Sequence, residues 1–167
     1  MQHLMPFASR EAADAWIDRQ ISHLAAHGFC FWAVEAKPTG SFAGAVGLLR
    51  VGYQAHFTPA VEIGWRVPRA FWGRGYAPEA AIASIRFGFD RLHLSEIVAN
   101  TAPGNHRSRR VMAKLGMSHD PGDDFDHPRV PEGHPLRRQV LYRLHRTVDA
   151  SPSQARPEAP ADERSSD

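Results

Sequence analysis

The stretch Phe71-Trp72-Gly73-Arg74-Gly75-Tyr76-Ala77-Pro78-Glu79-Ala80 has residue types and a spacing that can do chemistry. An alternating run, Val61–Val67, leads into it, and a helical pattern from Pro78 to Arg91 leads out. A glycine turn between a strand and a helix leaves first-turn N–H groups with no intrahelical acceptor. Those groups point beyond the helix end, where the helix dipole favours negative charge. Gly73 and Gly75 allow close backbone approach and φ values that other residues resist. Pro78 suits a first helical turn, where its missing N–H is not needed. The stretch reads either as an anion site or as an ordinary tight strand-to-helix turn. It is not a Walker loop, since no Gly-Lys-Ser/Thr follows, and it lacks the third glycine of the dinucleotide fingerprint. His23 and His27 are four apart, a spacing that can set two metal ligands on one helix face. With no third ligand apparent, they read as a solvated helix edge, and no metal is expected.

Several elements must position that turn. Ser9 to His27 reads as an amphipathic helix, with Ala13, Trp16, Ile17, Ile21 and Leu24 at helical spacing, Ser9 as cap and Gly28 as stop. Phe29–Glu35 is a strand apolar on both faces, which implies a central place in a sheet. A turn at Lys37–Gly40 joins it to a second strand, Ser41–Val51, as an antiparallel hairpin. In Val61–Val67 the odd positions share one face, and Glu62, Gly64 and Arg66 share the other. The helix after the turn carries Ile82, Ile85 and Phe89 on one stripe. A strand at Glu96–Thr101 then implies a right-handed parallel crossover. Asn105 caps a helix to Lys114, and Gly116 ends it. A brief strand at Met117–His119, a polar loop at Asp120–Arg137 and a strand at Gln139–His145 complete the domain. From Thr147 onward Pro, Ser, Ala and charge dominate, which reads as a disordered tail. The division is therefore a domain at 1–146 and a tail at 147–167.

The 167 residues are enough for one domain with a real core, and 43% hydrophobic with 23% charged residues is ordinary for a soluble protein. One cysteine, Cys30, excludes an internal disulfide framework and suits a reducing compartment. No signal peptide and no membrane-spanning run is evident, so a cytoplasmic location is expected. The net charge of +2 is divided: the tail carries five acids and two arginines, leaving +5 on residues 1–146. Such a basic domain suits a polyanionic cofactor or a nucleic acid.

Three blocks, Glu62–Val67, Phe71–Ala80 and Asn105-His106-Arg107-Ser108 through Leu115-Gly116-Met117, together resemble the GNAT superfamily of acyl-CoA N-acyltransferases. They are most similar to its branch named for ribosomal-protein N-terminal acetyltransferases. The resemblance covers roughly residues 10–146. It implies an α/β (α+β) fold: a mixed central sheet splayed between two parallel strands, with helices on both faces. It implies acetyl-CoA as cofactor, its pyrophosphate held by backbone amides across Gly73, Arg74, Gly75, Tyr76 and Ala77. It also implies a pantetheine arm lying between the strand ending at Val67 and the strand near Ile97–Asn100, with Asn105 helping to hold it. Three departures stand out. Trp72 replaces the family's usual Gln or Arg. Met112 replaces a tyrosine that many members use to protonate the leaving thiolate, which makes Ser108 the nearest matching hydroxyl and the candidate acid. The strand that usually precedes the stretch matching Ser9 has no counterpart. Either the sheet has lost an edge, or the start is internal, or a neighbouring chain fills the gap. An uncovered edge invites pairing with another chain, so a homodimer is expected.

An amine must be neutral to attack a thioester. With a pKa near ~8 for a protein α-amine and ~10.4 for lysine, neutralisation near pH 7.4 costs under about 1 kcal/mol for the first and about 4 kcal/mol for the second. A modest base therefore serves an α-amine, and Glu62 is the candidate, acting directly or through one water. The alternative for Glu62 is a cross-strand partner of Arg66. Asp126 and His127, in the loop ahead of the last strand, are candidate acceptor-binding residues, and the alternative there is an Asx-type turn. Tyr142 reads as a core residue or as one reaching the site, and Trp65 and Trp72 as buried residues or as flanks of the acceptor. The expected activity is direct acetyl transfer to a primary amine, on a protein N-terminus or a small molecule. The rival is a non-catalytic acyl-CoA-binding module. Arg107, Arg109, Arg110 and Lys114 read as solvating their helix or meeting CoA phosphates rather than as a nucleic-acid surface, and no membrane partner is expected.

Overall fold

The computed structural model describes residues 7–147. The first helix, α1 (Arg10–His27), starts where Ser9 accepts the Ala12 N–H and stops at Gly28, whose φ is 79°. Three strands follow, β1 (Phe31–Ala36), β2 (Ser41–Arg50) and β3 (Val61–Arg66), and then a single helical turn at Arg69–Phe71. Helix α2 (Tyr76–Asp90) leads to β4 (Glu96–Thr101), and α3 (His106–Lys114) leads to β5 (Ser118–His119). The polar loop holds a turn at Pro121–Asp123 and the short β6 (Phe125–Asp126), and β7 (Arg138–His145) closes the fold. The tail expected from Thr147 lies, beyond that residue, outside the described residues.

The sheet runs β1-β2-β3-β4-β7-β5, and β6 pairs with β7. Only β3 and β4 are parallel, and they are in register at a single pair, Glu62 with Val98. Beyond it the strands part, giving the expected splay. The strand alternation sends Ile63, Ile97, Ala99, Val140 and Tyr142 to one face, where they form the main core with Ala81 and Ile85 of α2 and Met112 of α3. Val98 and Leu141 face the other way, against Phe57 and Phe125. Ile97, Leu48 and Leu141 are fully buried, each contributing roughly 1.5–3 kcal/mol by leaving water.

Four expectations need correction. First, β1 is the edge of the sheet, not its centre. Its two apolar faces arise because helices cover both: Phe31 meets Trp16 of α1, while Trp32 meets Phe87 of α2. Second, the stripe expected to bury α1 does not. Ile17, Ile21 and Leu24 are exposed, and the helix instead turns Trp16, Gln20 and His23 inward. Buried Gln20 accepts the Phe31 N–H, so α1 is fixed to β1 by a polar contact. Third, His23 is not on a solvated helix edge: it is half-buried and both of its ring nitrogens are engaged. Nε2 accepts the Arg50 N–H, so Nδ1 carries the proton and donates to the Phe29 carbonyl at 2.7 Å. Fourth, α2 begins two residues earlier than expected, at Tyr76, with Gly75 as its cap and Pro78 still inside the first turn.

Candidate active site

The turn after β3 has the geometry of an anion cradle. Gly73 and Gly75 have φ of 75° and 85°, a region that L side chains resist. A Cβ at either would meet nothing within 4 Å, so backbone conformation rather than crowding accounts for these glycines. The five consecutive N–H groups from Gly73 to Ala77 have no backbone acceptor among the described residues. Such donors are normally satisfied, so their common exposure suits a ligand rich in acceptors. They open on a cleft of about 1260 Å³ between the turn and α3. Its wall includes Arg69, Arg107, Arg110 and Lys114 and no carboxylate, which fits a polyphosphate. Val67, Gly73, Gly75, Tyr76, Ala77, Asn105 and Ser108 all line this cleft.

Trp72, at the position that departs from the family pattern, is exposed rather than buried as expected, and stands at its mouth. Its indole N–H donates to the Val67 carbonyl at 2.7 Å, and the Arg107 guanidinium lies 4.2 Å above its ring. Asn105 is more constrained than expected. Its oxygen caps the Ser108 N–H, and its amide donates to Thr101 Oγ1 and Ser108 Oγ, both at 2.9 Å. Its side chain thus organises the cleft wall. Ser108 Oγ accepts from Asn105 and also from the Trp65 indole N–H at 3.3 Å. With both lone pairs engaged, its own proton is free to donate elsewhere. Met112 is buried and offers no such proton.

The opposite face of the sheet holds Glu62. Its partner is not Arg66, which lies against Phe7 and Trp16. Asn100, on β4, donates to Glu62 Oε2 at 3.1 Å and to the Tyr53 hydroxyl at 3.3 Å. Oε1 has no protein partner among the described residues, and it is not sealed from solvent. Burial raises the Glu62 carboxyl to about 7, against the smaller opposing effects of the Asn100 hydrogen bond and the Arg129 charge. Gly64 makes room beside it: a Cβ there would lie 2.5 Å from Phe31, whose ring fills the space under β3. Burial and the nearby carboxylate push the Tyr53 hydroxyl up, so it stays protonated.

A family model for the acetyltransferase (GNAT) domain matches residues 1–118. The chain belongs to this family. Among curated relatives, it is 36% identical over 102 residues (61% of this chain) to a Bacillus subtilis protein, YkkB, described as uncharacterized. It is 44% identical over 62 residues (37% of this chain) to an Aspergillus fumigatus protein named FsC-acetyl coenzyme A-N(2)-transacetylase. The matched stretches are 58% and 26% of those two proteins, so the chain spans little more than half of the first and about a quarter of the second. A solved Vibrio fischeri structure titled ribosomal-protein-S5-alanine acetyltransferase has the same fold, with a TM-score of 0.66 and 20% identity over 86% of this chain and 78% of that one.

Within the GNAT frame the two expected acceptor residues separate. His127 lies 4.4 Å from Tyr53, ring to ring, and accepts the Arg129 N–H on Nδ1. Burial, reinforced by the Arg129 charge, lowers its pKa. Asp126 is exposed and pairs with Arg137 at 3.4 Å and Arg138 at 3.5 Å, so it pins the loop to β7. Tyr142 is core, its hydroxyl accepting from Arg109. Three residues near Glu62 escape a reading of the sequence alone: Tyr53, Asn100 and Arg129. Asn100 leaves a trace, as a polar residue closing the apolar run Ile97-Val98-Ala99. Tyr53 and Arg129 sit in loops with no periodicity to read.

Proposed function

We propose that this chain is an N-acetyltransferase that moves an acetyl group directly from acetyl-CoA to a primary amine. One observation carries the proposal. The parallel strands part just beyond Glu62, with a high-pKa carboxylate that keeps one oxygen unpaired on one face and unpaired amides with a hydroxyl donor on the other. Acetyl-CoA supplies the acyl group as a thioester. The amides of Gly73–Ala77 hold its phosphates, and the gap between β3 and β4 admits the acyl end. Glu62 takes the proton from the attacking amine, directly or through a water, as the C–N bond forms and the C–S bond breaks. Ser108 donates a hydrogen bond to the departing sulfur. A thiolate with a pKa near ~8.5 leaves readily, so it needs a donor more than a strong acid. No covalent enzyme intermediate is required. Cys30 is buried, donates to the Phe31 carbonyl and has its thiol pKa raised by burial, which makes it a poor nucleophile.

Calorimetric titration with acetyl-CoA tests the reading, with a nucleotide lacking pantetheine as control. Binding that depends on pantetheine and persists in salt is expected, followed by release of free thiol when a primary amine is added. Binding without turnover on any amine would leave the acyl-CoA-binding module, a reading that Met112 in place of tyrosine favours. Affinity for RNA or DNA that collapses with salt would instead favour a nucleic-acid binder. Ser108→Ala is expected to lower turnover about 10-fold, the worth of one charge-assisted hydrogen bond, with little change in acetyl-CoA affinity. Unchanged turnover would make Ser108 a packing residue. A cytoplasmic location fits this chemistry, and no described helix is long and apolar enough to cross a membrane.

A further inference from the structure

The loop around Glu62 contains one arginine that its neighbours do not explain. Arg137 and Arg138 pair with Asp126, and Arg143 pairs with Asp123 and Glu96. Arg129 pairs with no carboxylate among the described residues. It is nevertheless held in place. Its N–H donates to His127 Nδ1 at 3.2 Å, one guanidinium nitrogen donates to the Gly52 carbonyl, and the guanidinium lies over the Tyr53 ring, 5.9 Å from its centre. The other guanidinium donors have no protein acceptor among the described residues, and the residue is exposed. Its charge is felt at Glu62, Tyr53 and His127, so it borders the space in front of the candidate base.

An arginine in that place opposes a cationic acceptor. It repels an incoming ammonium group and lowers the proton affinity of the base. An acceptor that also carries an anion reverses the effect. A planar carboxylate matches the guanidinium fork and accepts two parallel hydrogen bonds from it. We propose that Arg129 binds a carboxylate of the acceptor, so that the acceptor is a small amine bearing a carboxylate close to its nitrogen, of the α-amino acid type. The proposal rests on Glu62 as the base, and it deepens that reading by choosing between the two acceptor classes. A protein N-terminus has a peptide carbonyl where a free amino acid has its carboxylate, and it would leave Arg129 without a partner.

The test uses the full chain with acetyl-CoA and pairs of acceptors: free L-amino acids and the carboxamides of the same amino acids. Thiol release gives kcat/KM, corrected for the fraction of neutral amine. The best amino acid is expected to exceed its amide by about 10- to 100-fold, the worth of a charge-assisted bidentate contact. Arg129→Gln is expected to bring that ratio close to one, mainly through KM for the acid, and to move the low-pH rise of the pH profile to higher pH by removing a positive charge near Glu62. Arg129→Lys keeps the charge without the fork and is expected to keep part of the preference. Calorimetry with acetyl-CoA shows whether each variant has folded. The proposal is overturned if amides serve as well as acids, if only peptide N-termini are acetylated, or if Arg129→Gln and Arg129→Lys both keep the full preference. Glu62→Gln separates the two readings. It is expected to depress acid and amide alike with their ratio intact. Full turnover in Glu62→Gln, with a ratio still dependent on Arg129, would remove the base and leave the carboxylate site standing.

Discussion

Gly75→Glu is expected to reduce acetyl-CoA affinity by at least about 30-fold. Two effects add. Gly75 has φ of 85°, and a side chain there carries a penalty of roughly 1–2 kcal/mol or forces the turn to another conformation. The carboxylate would also sit at the cap of α2, beside the N–H groups proposed to hold the cofactor phosphates. Repulsion between unit charges near 4 Å amounts to about 1 kcal/mol in water and about 4 kcal/mol at an effective dielectric of 20. The sum, about 2 to 6 kcal/mol, corresponds to a loss of roughly one and a half to four powers of ten. Gly75→Ala carries the strain without the charge, and so is expected to lose only about 10-fold. Because a Cβ at this position meets nothing within 4 Å, the fold has room for either side chain. Calorimetry on both variants separates the contributions. Affinity retained in the glutamate variant would place the phosphates elsewhere in the cleft.

The turn is legible in the sequence because its constraints are local. Two glycines between an alternating run and a helical run specify a backbone, and the backbone specifies unpaired amides. The strand β3 is legible for the same reason. Its period of two assigns Glu62 and Trp65 to opposite faces, and the structure uses that separation to set the carboxylate apart from the indole that orders Ser108. The cap at Asn105 also follows from position. That the same side chain also binds the Thr101 and Ser108 hydroxyls does not, because the first comes from the end of β4 and the second depends on side-chain orientation within the capped turn.

The mismatches have a common physical origin. Periodicity reports which residues share a face, not which face meets the protein. In α1 the apolar positions Ile17, Ile21 and Leu24 do share a face, but that face is exposed, while Gln20 is drawn inward by the free N–H of Phe31. In β1 an apolar run on both faces suggests a central strand, although it equally suits an edge strand with a helix on each side. The side proposed for the acceptor is hardest to read. Tyr53, Asn100, His127 and Arg129 come from two loops and a strand, and they meet only because the β2–β3 loop folds over β4 and the segment after β6.

Glu62→Gln is expected to lower turnover by about 10²–10⁴-fold, the usual range for a lost general base, with acetyl-CoA affinity nearly unchanged. The substitution keeps the shape and the hydrogen bond from Asn100, since a glutamine oxygen accepts as the carboxylate does. In the parent enzyme kcat/KM, corrected for the fraction of neutral amine, is expected to rise through pH about 7, where Glu62 loses its proton, and to level off above it. In the variant that limb disappears, and the residual rate depends on the neutral fraction of the amine alone. Stability gives a second, independent readout. Folding raises the Glu62 pKa from 4.5 to about 7, so the native state holds the proton more tightly than the unfolded chain. The associated stabilisation is complete below the unfolded pKa and is lost as pH rises through the folded one. By pH 8 the loss is roughly 3 kcal/mol, taking about 1.4 kcal/mol per pKa unit. Glutamine does not titrate, so the variant's unfolding free energy is expected to lack that decline and to exceed the parent's at pH 8. Urea unfolding at pH 5 and pH 8 measures it. Keeping a carboxylate in a desolvated place for proton transfer costs stability, so removing its charge yields a less active but more stable protein. A variant that retains both full turnover and the parent's pH profile would instead make Glu62 a structural partner of Asn100, with the amine arriving already neutral from solution.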